Sequence, residues 1–111
     1  MAQSIIQRYT EKYNRECFLC RFEAEQENKY YEPSDKQRKL MHKHHFMHGT
    51  ANRRLAEQYG LWGYLCEKHH EDLHDRSKYY EFLMQVAQGR FEKLYSHEKW
   101  MEVFGKNYLI M

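Results

Sequence analysis

The chain of 111 residues has one proline, five glycines and three cysteines. So little Pro and Gly excludes a collagen-like chain and Pro-rich disorder. No apolar run approaches the ~18 residues that a membrane helix needs. The opening MAQSIIQRYTEKYNRE lacks the basic start and apolar stretch of a secretory signal. An odd number of cysteines argues against a disulfide framework. One soluble, cytoplasmic domain spanning 1–111 is the expectation, with no room for a second core. Aromatic residues, by contrast, are plentiful at 16%, and ten tyrosines supply bulk to a core that a hydropathy scale undercounts.

Charge is close to balanced, at a formal +2, but it is unevenly placed. From Asp35 to Arg54, six basic residues (Lys36, Arg38, Lys39, Lys43, Arg53, Arg54) meet one acidic residue. From Cys20 to Glu32 the sign reverses. A basic segment is a footprint for a polyanion; the plainer reading is a solvated helix face.

Cysteine and histidine carry the chemistry. Cys17 and Cys20 form a C-x-x-C in ECFLC, and Cys66 and His69 form a C-x-x-H in CEKHH. Two such pairs have the ligand count and spacing of a tetrahedral zinc site. A redox pair or buried thiols would explain the first pair alone. All histidines but His97 fall in two stretches, HKHHFMH and HHEDLH. His70 and His74 are four apart, so a helix presents both imidazoles on one face. His69 then points about 100° away from His70, and adjacent histidines would serve two different ions. A zinc finger of unusual ligand choice, with the remaining histidines on its surface, is the simpler alternative.

Periodicity predicts a helix over 3–16 from Ile5, Ile6, Tyr9 and Tyr13, and leaves 22–31 as helix or loop. Residues 32–35 are a break, and 39–46 read as a strand ending in a turn at Gly49. Thr50 can cap a helix to Tyr59, closed by Gly60. Residues 61–65 suit a strand, and Cys66 leads into a helix carrying HHEDLHD. A helix over 79–95, with a candidate kink at Gly89, precedes one starting at Ser96 and ending at Gly105, then an extended tail over 108–111. Tyr79, Tyr80, Phe82, Phe91, Trp100 and Phe104 are candidates for an aromatic core or, alternatively, a base-stacking surface. The class is α+β: a hairpin followed by a helix, stapled by zinc, a ββα-metal arrangement flanked by N- and C-terminal helices. The stapled core would span 17–75 and a C-terminal helical segment 76–111.

These motifs resemble the HNH (His-Me finger) endonucleases, in the zinc-ribbon-supported branch that includes small phage-encoded HNH proteins and phage Holliday-junction resolvases. The family pattern is C-x2-C, an Asp/His-His pair on the first strand, and an apolar strand ending L-C-x2-C-H-x3-H or -N. Here it reads CFLC, His44-His45 and LCEKHHEDLH. The phrase HHFMHGTANRRLAEQYGLWGYLCEKHH and the ending WMEVFGKNYL also resemble the phage proteins. The likeness covers residues 17–74 strongly and 91–109 weakly.

The resemblance implies a metal-dependent DNA endonuclease of the bacterial host cytoplasm, acting with phage DNA-processing proteins and without a membrane. It makes Cys17, Cys20, Cys66 and His69 structural zinc ligands. His44, with His70 and His74, would hold a catalytic divalent metal, and His45 would be the general base. Where relatives carry an Asn that braces the loop of the base, this chain has Leu61, and Asn52 is the candidate for that role. An all-imidazole site suits Zn2+, Ni2+ or Mn2+ better than Mg2+. Strand alternation sends His44 and His45 to opposite faces, so a bulge or turn, for which Gly49 leaves room, would have to bring them together. Arg53, Arg54 and Lys43 are candidate nucleic-acid contacts; the alternative for the two arginines is solubilising a helix face. Two other classes compete: a non-catalytic zinc module that binds nucleic acid or a host protein, and a zinc hydrolase of a small molecule, for which the H-E-x-x-H spacing is missing.

Overall fold

The computed structural model describes residues 2–76 and 79–109, apart from the side chains of residues 74–76. The elements run α1 (Phe18–Gln26), α2 (Asp35–Lys39), β1 (His42–His45), α3 (Thr50–Tyr59), β2 (Trp62–Leu65), α4 (Glu67–Arg76), α5 (Tyr80–Leu94) and α6 (His97–Phe104). This is a small α+β fold. Its sheet is one antiparallel pair, with His42 opposite Leu65 and His45 opposite Trp62. No helix among the described residues is long and apolar enough to cross a membrane.

Local chemistry explains most boundaries. Gly60 closes α3 at φ 72°, in the left-handed region, and a Cβ there would lie 2.1 Å from the Gln3 carbonyl oxygen. Glycine alone meets both conditions. Ser96 caps α6 by accepting from the Lys99 N–H, and Gly105 ends it at φ 73°. The α5 helix runs unbroken through Gly89. The expected break at 32–35 holds over 32–34, and a short helix begins at Asp35. Ser34 and Gln37 form a capping box, each side chain bonded to the other's backbone N–H, and the short α2 occupies part of the stretch read as strand.

The helix expected over 3–16 is absent. A two-stranded sheet has an outer edge that must be covered, and the N-terminal segment covers it in irregular form. The Ser4 hydroxyl donates to the Trp62 carbonyl, and Gln7 Oε1 accepts from the Tyr64 N–H at 2.7 Å. The Ile5 N–H reaches the Gly60 carbonyl at 2.8 Å. Arg90 donates to the Ile6 carbonyl at 2.9 Å, and the Arg15 guanidinium stacks on Tyr64 at 4.0 Å. These long-range bonds satisfy groups that a helix would have used internally, and Tyr9 and Tyr13 stay exposed.

The core centres on Phe91, whose ring meets Trp100 at 5.3 Å and Tyr59 at 5.2 Å. Phe46, Leu19, Leu65, Leu73 and Leu83 belong to the same buried cluster. Phe82, Phe104, Tyr79 and Tyr80 are partly buried against this core rather than arrayed as a free face. Helix α4 follows β2 after Cys66 alone and packs on both strands.

Candidate metal centre and histidine cleft

Both halves of the metal site sit where a helix begins. Cys17 is the N-cap of α1, and its sulfur accepts from the Cys20 N–H at 3.3 Å. Cys66 precedes α4, which starts at Glu67 and carries His69 in its first turn. Helix N-termini favour anions, so a thiolate is stabilised at each start.

The four donor atoms of Cys17, Cys20, Cys66 and His69 lie within 4.8 Å of one another. Cys20 and Cys66 sulfurs are 3.8 Å apart. His69 Nδ1 lies 3.4 Å from Cys17 and Cys20 Sγ and 3.3 Å from Cys66 Sγ. A tetrahedron with Zn–S bonds of about 2.3 Å has sulfur–sulfur edges of about 3.8 Å. The residues therefore fit a structural zinc ion. Among the described residues, this is the one group of three or more such ligands placed to share an ion.

Charge makes the same point. Three thiols and an imidazole this close cannot all ionise without a cation. Hydrogen bonds from Cys20 and Cys66, then burial, push the Cys17 thiol up. Those from Cys17 and Cys20 pull Cys66 down. Hydrogen bonds with Cys20 and Cys66 raise His69 to about 10. A divalent cation held by these four residues would replace the shared protons.

Glu23, which no motif marks, completes the centre. It stands one turn beyond Cys20 on α1, and its Oε1 lies 3.0 Å from His69 Nε2. The Tyr79 hydroxyl donates to the other oxygen at 2.5 Å, and this bond, with burial, raises Tyr79 to about 12. A carboxylate on the outer nitrogen of a ligating histidine fixes its tautomer and directs Nδ1 inward. The Cys17 N–H donates to the Tyr31 hydroxyl at 3.0 Å, closing the other side.

Four other histidines border a cleft at the far end of β1, whereas His97 stands on α6 beside Glu92. The cleft, of about 610 Å3, is lined by His44, His45, His48, His70, Arg53 and Tyr80, with others. His42 and His44 share one face of β1, turned to α4. His42 stacks flat on His70 at 4.8 Å, and His44 meets His70 edge-on at 5.9 Å. His42 went unassigned in the sequence, although its two-residue spacing from His44 places it there. The side chain of His74 lies outside the described residues.

His45 takes the opposite face, and no bulge interrupts the register between β1 and β2. Of the bulge or turn expected near the strand end, the paired residues show no bulge, the chain turns through Gly49, and the cleft wraps the end of the strand and reaches both His44 and His45. His45 Nε2 lies 2.7 Å from Glu57 Oε2 on α3, and Lys43 Nζ lies 2.9 Å from Oε1. Lys43 also sits over the Trp62 ring at 4.2 Å. Burial opposes ionisation of Glu57, but the bonds from His45 and Lys43 outweigh it and hold the carboxyl below its ordinary range.

Asn52 Nδ2 donates to the His48 carbonyl at 2.9 Å. It braces the turn after β1, which passes through Gly49 at φ 104°. Leu61 is fully buried. Arg53 and Arg54 are exposed, and both line a second depression with His45 and Glu57. The basic segment does not make one helix face: it is divided among α2, β1 and α3, and Arg38 is spent on the Arg15 carbonyl at 2.9 Å. Comparison with protein-family models, curated proteins and solved structures finds no match for the chain.

Proposed function

We propose that the chain is a metal-dependent DNA endonuclease on a ββα-metal core of the HNH (His-Me finger) type. The observation that carries this reading is the single cleft reached by His44, His45 and His70 at the end of β1, with Arg53 on its wall. The order β1, β2, α4, with α4 anchored through Cys66 and His69, supports it.

On this reading His44, His70 and His74 would hold a divalent metal, and an all-imidazole set suits zinc, nickel or manganese over magnesium. When bound, such an ion supplies Lewis-acid stabilisation of charge on the phosphate and the leaving oxygen. His45 takes a proton from water, a task suited to an imidazole near neutral pH. The hydroxide oxygen bonds to phosphorus, the bond to the 3′ oxygen breaks, and that oxygen is protonated from solvent. Arg53 and Arg54 offer charge to the phosphate backbone. Asn52 steadies the turn that follows His45.

The test is supercoiled plasmid incubated with the purified, zinc-loaded chain and added Mg2+, Mn2+, Ni2+ or Zn2+, beside His45→Ala. Nicking should fall at least ~100-fold in the variant, with zinc content unchanged and the thermal midpoint lowered by no more than a few degrees. Equal nicking by the two proteins overturns the reading. DNA retained on a filter with no strand ever broken would favour the non-catalytic zinc module.

A further inference from the structure

The depression next to the cleft, which shares His45 with it, is bordered by Glu57, a residue that the sequence motifs leave out. It stands on α3, outside the β1, β2 and α4 elements. Its carboxylate nevertheless reaches across to β1 and is held at both oxygens. Oε1 takes Lys43 at 2.9 Å and Oε2 takes His45 Nε2 at 2.7 Å. Lys43 and His45 are two apart, so they project from one face of the strand. The carboxylate cannot turn without losing one of these bonds. All three side chains are about one-quarter to one-third exposed, which shields the contacts without sealing them from solvent.

We propose that Glu57 is the positioning residue of His45, holding its imidazole so that Nε2 carries the proton and the basic lone pair stays on Nδ1. An imidazole has one proton-bearing nitrogen and one basic nitrogen when neutral, and the partner of the first decides the second. A carboxylate on the N–H fixes the ring orientation and stabilises the imidazolium formed after proton transfer. Arg53 and Arg54 lie four and three residues before Glu57, on the same helix face, and line the depression that His45 and Glu57 share. Lys43 and His45 keep the carboxylate ionised. Lys43 therefore acts on the cleft through Glu57, whether or not it touches a nucleic acid.

The base role rests on the nuclease reading; the hydrogen bond does not, and the experiment separates them. In the full, zinc-loaded chain with uniform 15N labelling, His45 should show a downfield Nε2–H proton protected from solvent exchange. Glu57→Ala should abolish that signal, and the isosteric Glu57→Gln should retain it in weakened form. In plasmid nicking, Glu57→Ala should lower kcat about 10–100-fold, with KM within about twofold, and Glu57→Gln should recover part of the loss. A merely structural ion pair would shift the thermal midpoint and leave kcat alone, overturning the proposal. An Nε2–H signal unchanged in Glu57→Ala overturns it too, even if wild type nicks DNA. A wild-type chain with the bonded proton and no nicking in any metal overturns the nuclease reading, and the base role with it, while the hydrogen bond stands.

Discussion

The cysteine centre and the histidine cleft share α4 and differ in almost everything else. Adjacent residues of that helix serve the two: His69 is buried and aimed at three sulfurs, whereas His70 is partly exposed and faces the imidazoles of β1. At the first site four donor atoms converge and a carboxylate backs the histidine. At the second the imidazoles occupy both faces of a strand around open space. A closed donor set suits a structural ion, and an open one leaves room for something to enter. Neighbouring residues of one helix thus separate a clasp from an open cleft.

The largest effect should come from breaking the clasp. Structural zinc contributes about 10–16 kcal/mol of apparent binding free energy in small domains, comparable to a whole domain's stability of about 5–15 kcal/mol. Cys66→Ser, or excess chelator, should leave no cooperative unfolding transition by circular dichroism, with zinc lost by elemental analysis. A native-like melt without zinc would erase the contrast between the two sites.

Next in size is Gly60→Ala. The left-handed φ costs about 1–2 kcal/mol for an alanine, and the contact with the Gln3 carbonyl adds to it. A loss of roughly 2–4 kcal/mol should lower the melting midpoint by about 10 °C or more, without altering zinc content. Glu23→Gln should be milder: zinc affinity falls about 10–100-fold in a competition titration, and the fold persists at saturating metal. Smallest of the substitutions is His44→Ala, which should move the midpoint by no more than a few degrees, because the residue is only partly buried and packs at the edge of the cleft. A drop as large as that of Cys66→Ser would make the cleft a second clasp.

Acid should separate the two sites as well. Protons compete for the sulfurs, so zinc is expelled as pH falls and the fold goes with it. Glu57 acts in the same direction but weakly. Its folded pKa lies below the ordinary 4.5, so its contribution is present above that value and is lost as pH falls through the folded pKa. Comparing melts of wild type and Glu57→Gln from pH 7 down to 4 should show a modest wild-type advantage that shrinks only at the acid end.

What could be read in advance was what depends on near neighbours. Chelating pairs are local, so C-x-x-C and C-x-x-H marked the metal centre before any fold was known. Gly60, Ser96 and Gly105 declared their helix ends through their own backbone chemistry. The strands were legible in 39–46 and 61–65, though only their latter parts pair. Glu57 and Glu23 carried no such sign, since each matters only because a helix is laid across a distant partner. The S-x-x-Q of Ser34 and Gln37 was a signal available for α2. The N-terminal segment misled because its apolar spacing is helical, while its backbone is satisfied by β2, Gly60 and Arg90. For residues 17–20 and 66–69, tertiary structure tightened what the local pattern proposed; for residues 2–16 it replaced it.

The bond from Arg90 to the Ile6 carbonyl spans most of the chain. A contact so distant along the polypeptide closes late, because the intervening loop must first be ordered. During synthesis the tie from Arg90 must wait for α5 to leave the ribosome, whereas the bonds of residues 4–7 to Gly60, Trp62 and Tyr64 need only β2. The two sulfur-bearing halves meet sooner, once residue 69 has emerged. Metal capture can thus precede the final clamping of the amino terminus by Arg90, which comes last of these contacts.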